Sequence, residues 1–198
     1  AMLGWNPGTP QEIFSMDELV EAFSLERVGK SGSKFDPEKA KWYNQQYLRT
    51  YNDAELAKIF QETLKEKGVE ASDEYVANVC SLIKEKTQFT SEFWGFGSYF
   101  FEKPGEYDEK VIRKRWNENA ERFFPALSDA LSNLSNWKAE EIESTFKSTA
   151  ESLEINPGHV MQLFRVLLSG QPGGPVLFEM TEFLGQEEVV SRLREGVD

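Results

Sequence analysis

The spacing of apolar residues is helical along most of the chain. One stripe consists of Leu56, Ile59, Phe60 and Leu64, which follow the three- and four-residue spacing of a helix face. Residues 139–153 repeat this spacing, and no stretch shows the sustained alternation of a half-buried strand. The pattern predicts an all-α fold. Because the helices are short and the turns between them tight, we expect an irregular multi-helix cage rather than a regular bundle.

Capping signals mark where several helices begin. Ser15 and Glu18 have the spacing of a capping box, which predicts a helix that continues to Phe23. Asp36 and Asn156 each precede a proline, and an N-cap followed by a first-turn proline is a typical helix start. We therefore expect the long polar and aromatic segment after Asp36 to be helical.

Proline and glycine predict where the helices are interrupted. Helical patterning runs from residue 108 to about residue 133, and we expect a kink or break near Pro125. A glycine-rich loop follows the helix that starts after Asn156, and Pro175 is expected to begin the next helix. A turn at residues 103–105 separates two helical groups and marks a possible boundary.

Composition narrows the classes of function. The net charge is −12, so a surface that is basic throughout, as in many nucleic-acid-binding proteins, is excluded. Cys80 and His159 are the single residues of their kinds, which excludes an internal disulfide and a zinc cluster of cysteine and histidine. No nucleophile and base share a motif, so we expect no catalytic residue, no metal site and no cofactor within this chain.

Cell location is also predicted from composition. No apolar run approaches the roughly 20 residues that a membrane span needs. A lone cysteine fits a reducing compartment, and no secretory signal is visible. The sequence therefore predicts a cytoplasmic protein that has no membrane partner. We also expect a monomer.

One segment reverses the acidic trend. From Arg27 to Tyr51 there are six basic and two acidic residues, a net charge of +4, which leaves −16 for the rest of the chain. Aromatic residues and amides accompany these cations. Cations that neutralise phosphates, rings that stack on bases and amides that read base edges suit single-stranded RNA. An exposed charged helix with its aromatics in the core is an equally common explanation, so this pattern alone leaves RNA binding open.

A series of short motifs then carries a family resemblance. Near the start they are, in order, Leu3-Gly4-Trp5, Phe23-Ser24-Leu25-Glu26-Arg27-Val28, Phe35-Asp36-Pro37-Glu38-Lys39 and Trp42-Tyr43-Asn44 with Tyr47-Leu48-Arg49. Near the end they are Gly158-His159-Val160-Met161-Gln162, Arg165-Val166, Ser169-Gly170 and Gly174-Pro175-Val176-Leu177-Phe178. The order resembles that in bacterial-type glutamyl-tRNA synthetases, in the region that follows the catalytic domain.

This resemblance implies that catalysis and anticodon binding belong to different domains of the parent protein. Such an enzyme joins glutamate to its tRNA, tRNA(Glu), through an ATP-made adenylate, and ATP and magnesium would bind in a catalytic domain absent from this sequence. Residues 1–30 would end a stem-contact region. Residues 31–105 and 106–198 would form two helical anticodon-binding subdomains. The fragment alone is expected to be inactive as a ligase and to bind the tRNA anticodon loop.

The resemblance also implies residues that contact RNA. Arg49 stands where the family reads the third anticodon base, and a planar guanidinium can donate two parallel hydrogen bonds to a base. Asn44 and Tyr47 of the same motif are expected to contact the anticodon. Lys39 and Lys41 are expected to contact the RNA backbone.

A second contact region is implied near the C-terminus. It comprises Arg165 and the expected helix start at Gly174, Pro175 and Leu177, where free N–H groups can donate hydrogen bonds to oxygen atoms of RNA. The family often has a threonine where Gly174 stands, and a proline where Leu163 stands. A hydroxyl contact to the middle anticodon base is therefore missing at that position.

Alternatives remain open at this point. Arg49 could satisfy carbonyls at a helix end, and Arg165 could form a structural ion pair. We assign Trp42, and most of the aromatic residues from Trp42 to Arg49, to the core rather than to base stacking. The whole chain could instead be a helical protein-interaction domain, or belong to a relaxed enzyme that also charges tRNA(Gln).

Overall fold

The computed structural model describes residues 3–30, 32 and 34–196, which divide into two compact units, Ala1–Tyr51 and Asn52–Asp198. In the described residues the regular elements are helical, and the sole β-type pairing is an isolated bridge between Trp5 and Val28. The expected all-α fold is confirmed. The division after Tyr51 does not test the three expected functional regions, whose boundaries stay predictions.

The first unit contains two α-helices, α1 (Met16–Ala22) and α2 (Pro37–Thr50), and a 3-10 turn at Leu25–Arg27. The predicted capping box at α1 is present, with the Glu18 N–H donating to Ser15 Oγ at 3.2 Å. Its small core is built on Trp5 and Phe14, whose ring centroids lie 6.2 Å apart in an edge-to-face contact. The core is thin because α1 buries none of its residues and α2 buries Leu48 alone.

The second unit contains nine further α-helices in its described residues. They are α3 (Asp53–Glu66), α4 (Asp73–Ile83), α5 (Phe93–Gly97), α6 (Glu109–Arg115), α7 (Glu118–Ser132), α8 (Ala139–Ser152), α9 (Pro157–Ser169), α10 (Leu177–Leu184) and α11 (Gln186–Glu195). Short 3-10 turns, Thr90–Glu92 and Ser98–Phe100, flank α5. Helix α3 packs on α4, while α7 packs on both α8 and α11.

Aromatic rings fill the interior between the later helices. Phe146 lies at the centre, with its ring centroid 5.0 Å from that of Phe123, 5.2 Å from that of Phe164 and 5.7 Å from that of Phe178. The contacts with Phe123 and Phe178 are edge-to-face and the contact with Phe164 is tilted. Edge-to-face pairs at such distances stabilise a core beyond the area they bury. This packing holds α7, α8, α9 and α10 in fixed positions around the loop that leads from α9 to α10.

The expected break at Pro125 is wrong. Helix α7 runs through Pro125, and the interruption lies earlier, between α6 and α7. The reason is the stronger local signal at Asn117, whose side chain accepts the N–H groups of Asn119 and Ala120 and so starts a new helix there. Pro125 is exposed, and the helix accommodates the one backbone hydrogen bond that its ring removes.

Cys80 provides a test of the core of the second unit. It is fully buried on α4, and burial raises the pKa of its thiol to about 12. Since the thiolate is the reactive form, only about 10⁻⁴ of the thiol is ionised at pH 8. We expect no reaction with a thiol reagent in the native chain and full reaction in denaturant, measured by absorbance of the released chromophore. Rapid labelling of the native chain would contradict this packing.

Candidate nucleic-acid interface

A groove opens on the second unit beside the loop that follows α9. Lys86, Phe96 and Arg165 line it together with residues 171–174, and its volume is about 650 Å³. These lining residues include two cations and an aromatic ring but no carboxylate. The chain as a whole carries a net charge of −12. The groove is therefore a locally basic site on an acidic protein, and a polyanion would be attracted to it rather than to the surrounding surface.

The loop at this groove is fixed at its base. Gly170 ends α9 with φ of 73°, a left-handed conformation that glycine adopts readily. The Gln171 N–H donates to Ser169 Oγ at 3.2 Å, which ties the loop back to the last residue of α9. Gln171 Nε2 donates to the carbonyl of Gly95 at 2.5 Å, which ties it to α5. These hydrogen bonds hold the loop beside the α5 segment, and the two segments form two walls of one groove.

Two hydrogen-bond donors meet beneath this loop. A Cβ placed on Gly174, whose φ is 148°, would lie 3.3 Å from Arg165 Nη1 and 3.5 Å from Tyr99 Oη. Both atoms are buried and have no hydrogen-bond partner among the described residues. Burial raises the pKa of Tyr99, so its hydroxyl keeps its proton, and burial lowers the pKa of Arg165. Gly174, which lines the groove, thus lies close to both side chains.

Helix α10 begins later than expected. Gly174 and Pro175 lie in the loop, and the first helical residue is Leu177. The delay follows from the backbone, because Gly174 has a positive φ and Val176 has ψ of 124°, neither of which is helical. No side chain caps this helix. Its first N–H groups therefore have no side-chain acceptor, which suits an incoming oxygen atom of RNA.

The other predicted RNA contacts lie on α2 of the first unit. Arg49 lies in the last turn of α2 and is half-buried, and Asn44 is exposed. Tyr47 is 40% exposed, and its hydroxyl donates to the carbonyl of Phe14 at 2.9 Å. The structure therefore anchors Tyr47 at one end and leaves part of its ring on the surface.

The two predicted backbone-binding lysines form ion pairs. Lys39 Nζ lies 2.6 Å from Glu12 Oε1, and Lys41 Nζ lies 2.7 Å from Glu38 Oε1. The hydrogen bond to Glu12 raises the pKa of Lys39, so this lysine stays charged. Exposed pairs of this kind contribute little to stability, and phosphates can compete for such cations.

The assignment of Trp42 to the core is wrong. Its side chain is 38% exposed, and Phe35 and Tyr51 are 58% and 49% exposed. Helix α2 buries only Leu48, so the ring of Trp42 is left partly exposed, while Phe35 and Tyr51 lie just outside the two ends of the helix. Base stacking and a protein contact therefore both stay open as roles for the exposed rings at and beside α2.

Comparison with known proteins decides the family. A family profile described as an anticodon binding domain matches residues 45–197. Over 197 residues the chain is 47% identical to the glutamate–tRNA ligase of Flavobacterium johnsoniae, with 100% of this chain and 39% of the relative covered. The glutamate–tRNA ligase of Porphyromonas gingivalis is 41% identical over 198 residues, with the same two shares covered.

The chain belongs to the glutamate–tRNA ligase family. It corresponds to the anticodon-binding part and spans about 39% of the length of these relatives. A crystal structure of the glutamate tRNA ligase of Elizabethkingia meningosepticum in complex with its amino acid superposes with a TM-score of 0.86 at 37% identity, covering 99% of this chain and 39% of that one. The synthetase of Elizabethkingia anophelis gives 0.83 at 36% identity, covering 99% and 38%. The resemblance drawn from the short motifs is thereby confirmed.

Within this glutamate–tRNA ligase fragment the predicted site residues are divided between the two units. Arg165 and Gly174 are neighbours in the groove, while Arg49, Asn44 and Tyr47 belong to the other unit. Which of them contact RNA stays a prediction. Sequence reasoning missed three residues at the groove, Lys86, Phe96 and Tyr99. The aromatic run that contains two of them was visible, but only the long-range contact through Gln171 places it beside Arg165.

Proposed function

We propose that the groove of the second unit binds the anticodon loop of a tRNA. The observation that carries the proposal is its lining, with Lys86 and Arg165 beside Phe96 and no carboxylate, in a chain of net charge −12. Cations attract the backbone, and an aromatic ring offers a surface on which an unpaired base can stack. Membership of the anticodon-binding family supports RNA over a protein partner for this groove.

The intact protein is proposed to attach glutamate to tRNA(Glu) with ATP in the cytoplasm as a monomer. The support is the shared name of the relatives, glutamate–tRNA ligase.

Among the described residues, no helix has the length and apolar composition of a membrane span. The same residues contain no cluster of three or more acidic, histidine or cysteine residues suited to a metal ion. ATP and magnesium would bind outside this chain. Arg49 remains a separate proposal for reading the third anticodon base.

Arg165→Ala tests the proposed groove. The guanidinium is the one cation of the groove that lies directly beneath the loop glycine, so its loss should weaken binding of a tRNA(Glu) transcript about 10- to 100-fold. Affinity is measured by titration at several salt concentrations, because each lost phosphate contact lowers the steepness of the salt dependence by about one.

Arg194→Ala is the matched control for Arg165→Ala. Arg194 lies on α11, its side chain is 61% exposed, and its nearest carboxylate, Asp129, is 3.9 Å away. Removing it changes the net charge by the same amount but leaves the groove intact, so tRNA affinity should hold. Equal affinity losses in the two variants would mean that only overall charge matters. A wild-type chain that binds no tRNA would refute the proposed function.

A further inference from the structure

The hydroxyl of Tyr99 is placed where folding alone does not require it. Tyr99 lies in the 3-10 turn Ser98–Phe100, is 1% exposed, and its Oη makes no hydrogen bond to any described residue. A hydroxyl that is buried without a partner loses its hydrogen bonds to water and gains none within the protein, which lowers stability. A phenylalanine would fill the same space without this cost. The hydroxyl therefore needs an explanation outside the folded chain.

Contacts to the backbone and to the ring hold Tyr99 in place. Arg192 Nη2 donates to the Tyr99 carbonyl at 2.8 Å, and the Phe100 ring packs on the Tyr99 ring with centroids 4.5 Å apart. Burial raises the pKa of the hydroxyl, which therefore remains a donor. The turn and its packing thus fix one donor at a set point below the loop.

Arg165 supplies a second unsatisfied donor at the same point. Its Nη1 is buried and makes no hydrogen bond to a described residue, and no described carboxylate forms an ion pair with it. The missing Cβ of Gly174 marks a location 3.3 Å from Arg165 Nη1 and 3.5 Å from Tyr99 Oη. Two donors that converge there fit one acceptor atom, and the acceptor has to come from outside the chain.

We propose that Tyr99 Oη and Arg165 Nη1 together donate hydrogen bonds to a single oxygen atom of the bound RNA beside Gly174. The inference rests on the proposed function and adds Tyr99 to the residues that determine RNA binding. Both donors are covered in the unbound chain, so the Gly173–Gly174 segment has to move outward as the RNA oxygen enters. Two adjacent glycines permit that movement because neither carries a side chain that resists it.

A matched pair of tyrosine variants tests this assignment. Tyr75 is the control, since its hydroxyl donates to the Phe100 carbonyl at 2.7 Å and does not line the groove. Tyr75→Phe should lower the melting temperature and leave the affinity for a tRNA(Glu) transcript unchanged. Tyr99→Phe should leave the melting temperature unchanged or raise it, and should weaken tRNA binding about tenfold. The two variants remove the same atom, so only its surroundings differ.

A double-mutant cycle shows whether the donors share one acceptor. In an Arg165→Ala background, Tyr99→Phe should cost much less affinity than in the wild-type chain, because the shared contact has already been weakened. Transcripts substituted at each anticodon base separate two sources of the oxygen. A base oxygen makes the loss from Tyr99→Phe depend on the base, whereas a phosphate oxygen makes it uniform.

Several outcomes would overturn the assignment. Tyr99→Phe could bind tRNA as tightly as the wild type, or it could lower the melting temperature as much as Tyr75→Phe does, which would show a structural hydroxyl. Fully additive losses in the double variant would show two separate contacts. If the wild-type chain itself binds no tRNA, the proposed function fails, and that result is distinct from wild-type binding that is insensitive to Tyr99→Phe.

Discussion

Arg192→Ala is expected to lower the free energy of unfolding by about 3–5 kcal/mol. Arg192 lies on α11, and only 3% of its side chain is exposed. Its Nε donates to Glu188 Oε1 at 2.7 Å, its Nη2 donates to the Tyr99 carbonyl at 2.8 Å, and its Nη1 donates to the Leu168 carbonyl. Alanine would leave two buried carbonyls without their donors and would open a cavity where the guanidinium lies.

The size of this effect comes from what Arg192 joins. Leu168 is in the last turn of α9 and Tyr99 is in the turn after α5, so one guanidinium connects three elements of the second unit. Urea unfolding followed by circular dichroism measures the loss. Arg194→Ala, two positions along α11, is the control, because an exposed pair contributes only about 0–1 kcal/mol. Equal unfolding midpoints for both variants would show that the Arg192 hydrogen bonds contribute nothing net.

Helix starts were predictable because their determinants are local. The Ser15–Glu18 box and the Asp36 cap lie within three residues of the N–H groups that they satisfy, and the structure has both. The break was misplaced because Pro125 is a strong signal in isolation but is tolerated on an exposed helix face. The cap at Asn117 outweighs it, and its two hydrogen bonds cannot be weighed against a proline by composition alone.

Burial on α2 was harder to predict for a different reason. The sequence shows that Trp42 and Tyr47 are aromatic, which favours the core in an average domain. In the first unit the elements are few, and both rings keep about two fifths of their surface exposed, 38% and 40%. Whether an aromatic residue is covered depends on the number of neighbouring elements, and that number is a property of the tertiary fold.

The residues of the candidate groove also divide into those that the sequence could predict and those that only the tertiary fold reveals. Arg165 and Gly174 were found because they stand in recognisable motifs. Phe96 and Tyr99 could not be assigned to the site from sequence, because the fold alone places them near Arg165 and Gly174. The contact that does so is the hydrogen bond from Gln171 to Gly95, which are 76 positions apart in the sequence. A donor that lacks a partner, such as Tyr99 Oη, is invisible in sequence because the signal is the absence of a contact.

Gly170→Ala is expected to lower the free energy of unfolding by about 2–5 kcal/mol. Gly170 has φ of 73°, and a Cβ there would lie 2.4 Å from the Glu106 carbonyl oxygen and 3.1 Å from Pro104 Cβ. The first obstacle is backbone, so it cannot be relieved by a side-chain rotation. The chain has to move, and the hydrogen bond from the Asp108 N–H to the Gly170 carbonyl, 2.9 Å long, would move with it.

Gly68→Ala separates the two contributions to that cost. Gly68 follows α3 with φ of 74°, almost the value at Gly170, but nothing lies within 4 Å of its would-be Cβ. Its loss should therefore be the conformational part alone, about 1–2 kcal/mol. Urea unfolding of both variants gives the crowding at Gly170 by difference. Because Gly170 directly precedes the groove loop, its variant should also bind tRNA more weakly, while Gly68→Ala should not. Equal costs at both glycines would mean that residues 104–106 yield freely, and the loop position would then not depend on this close approach.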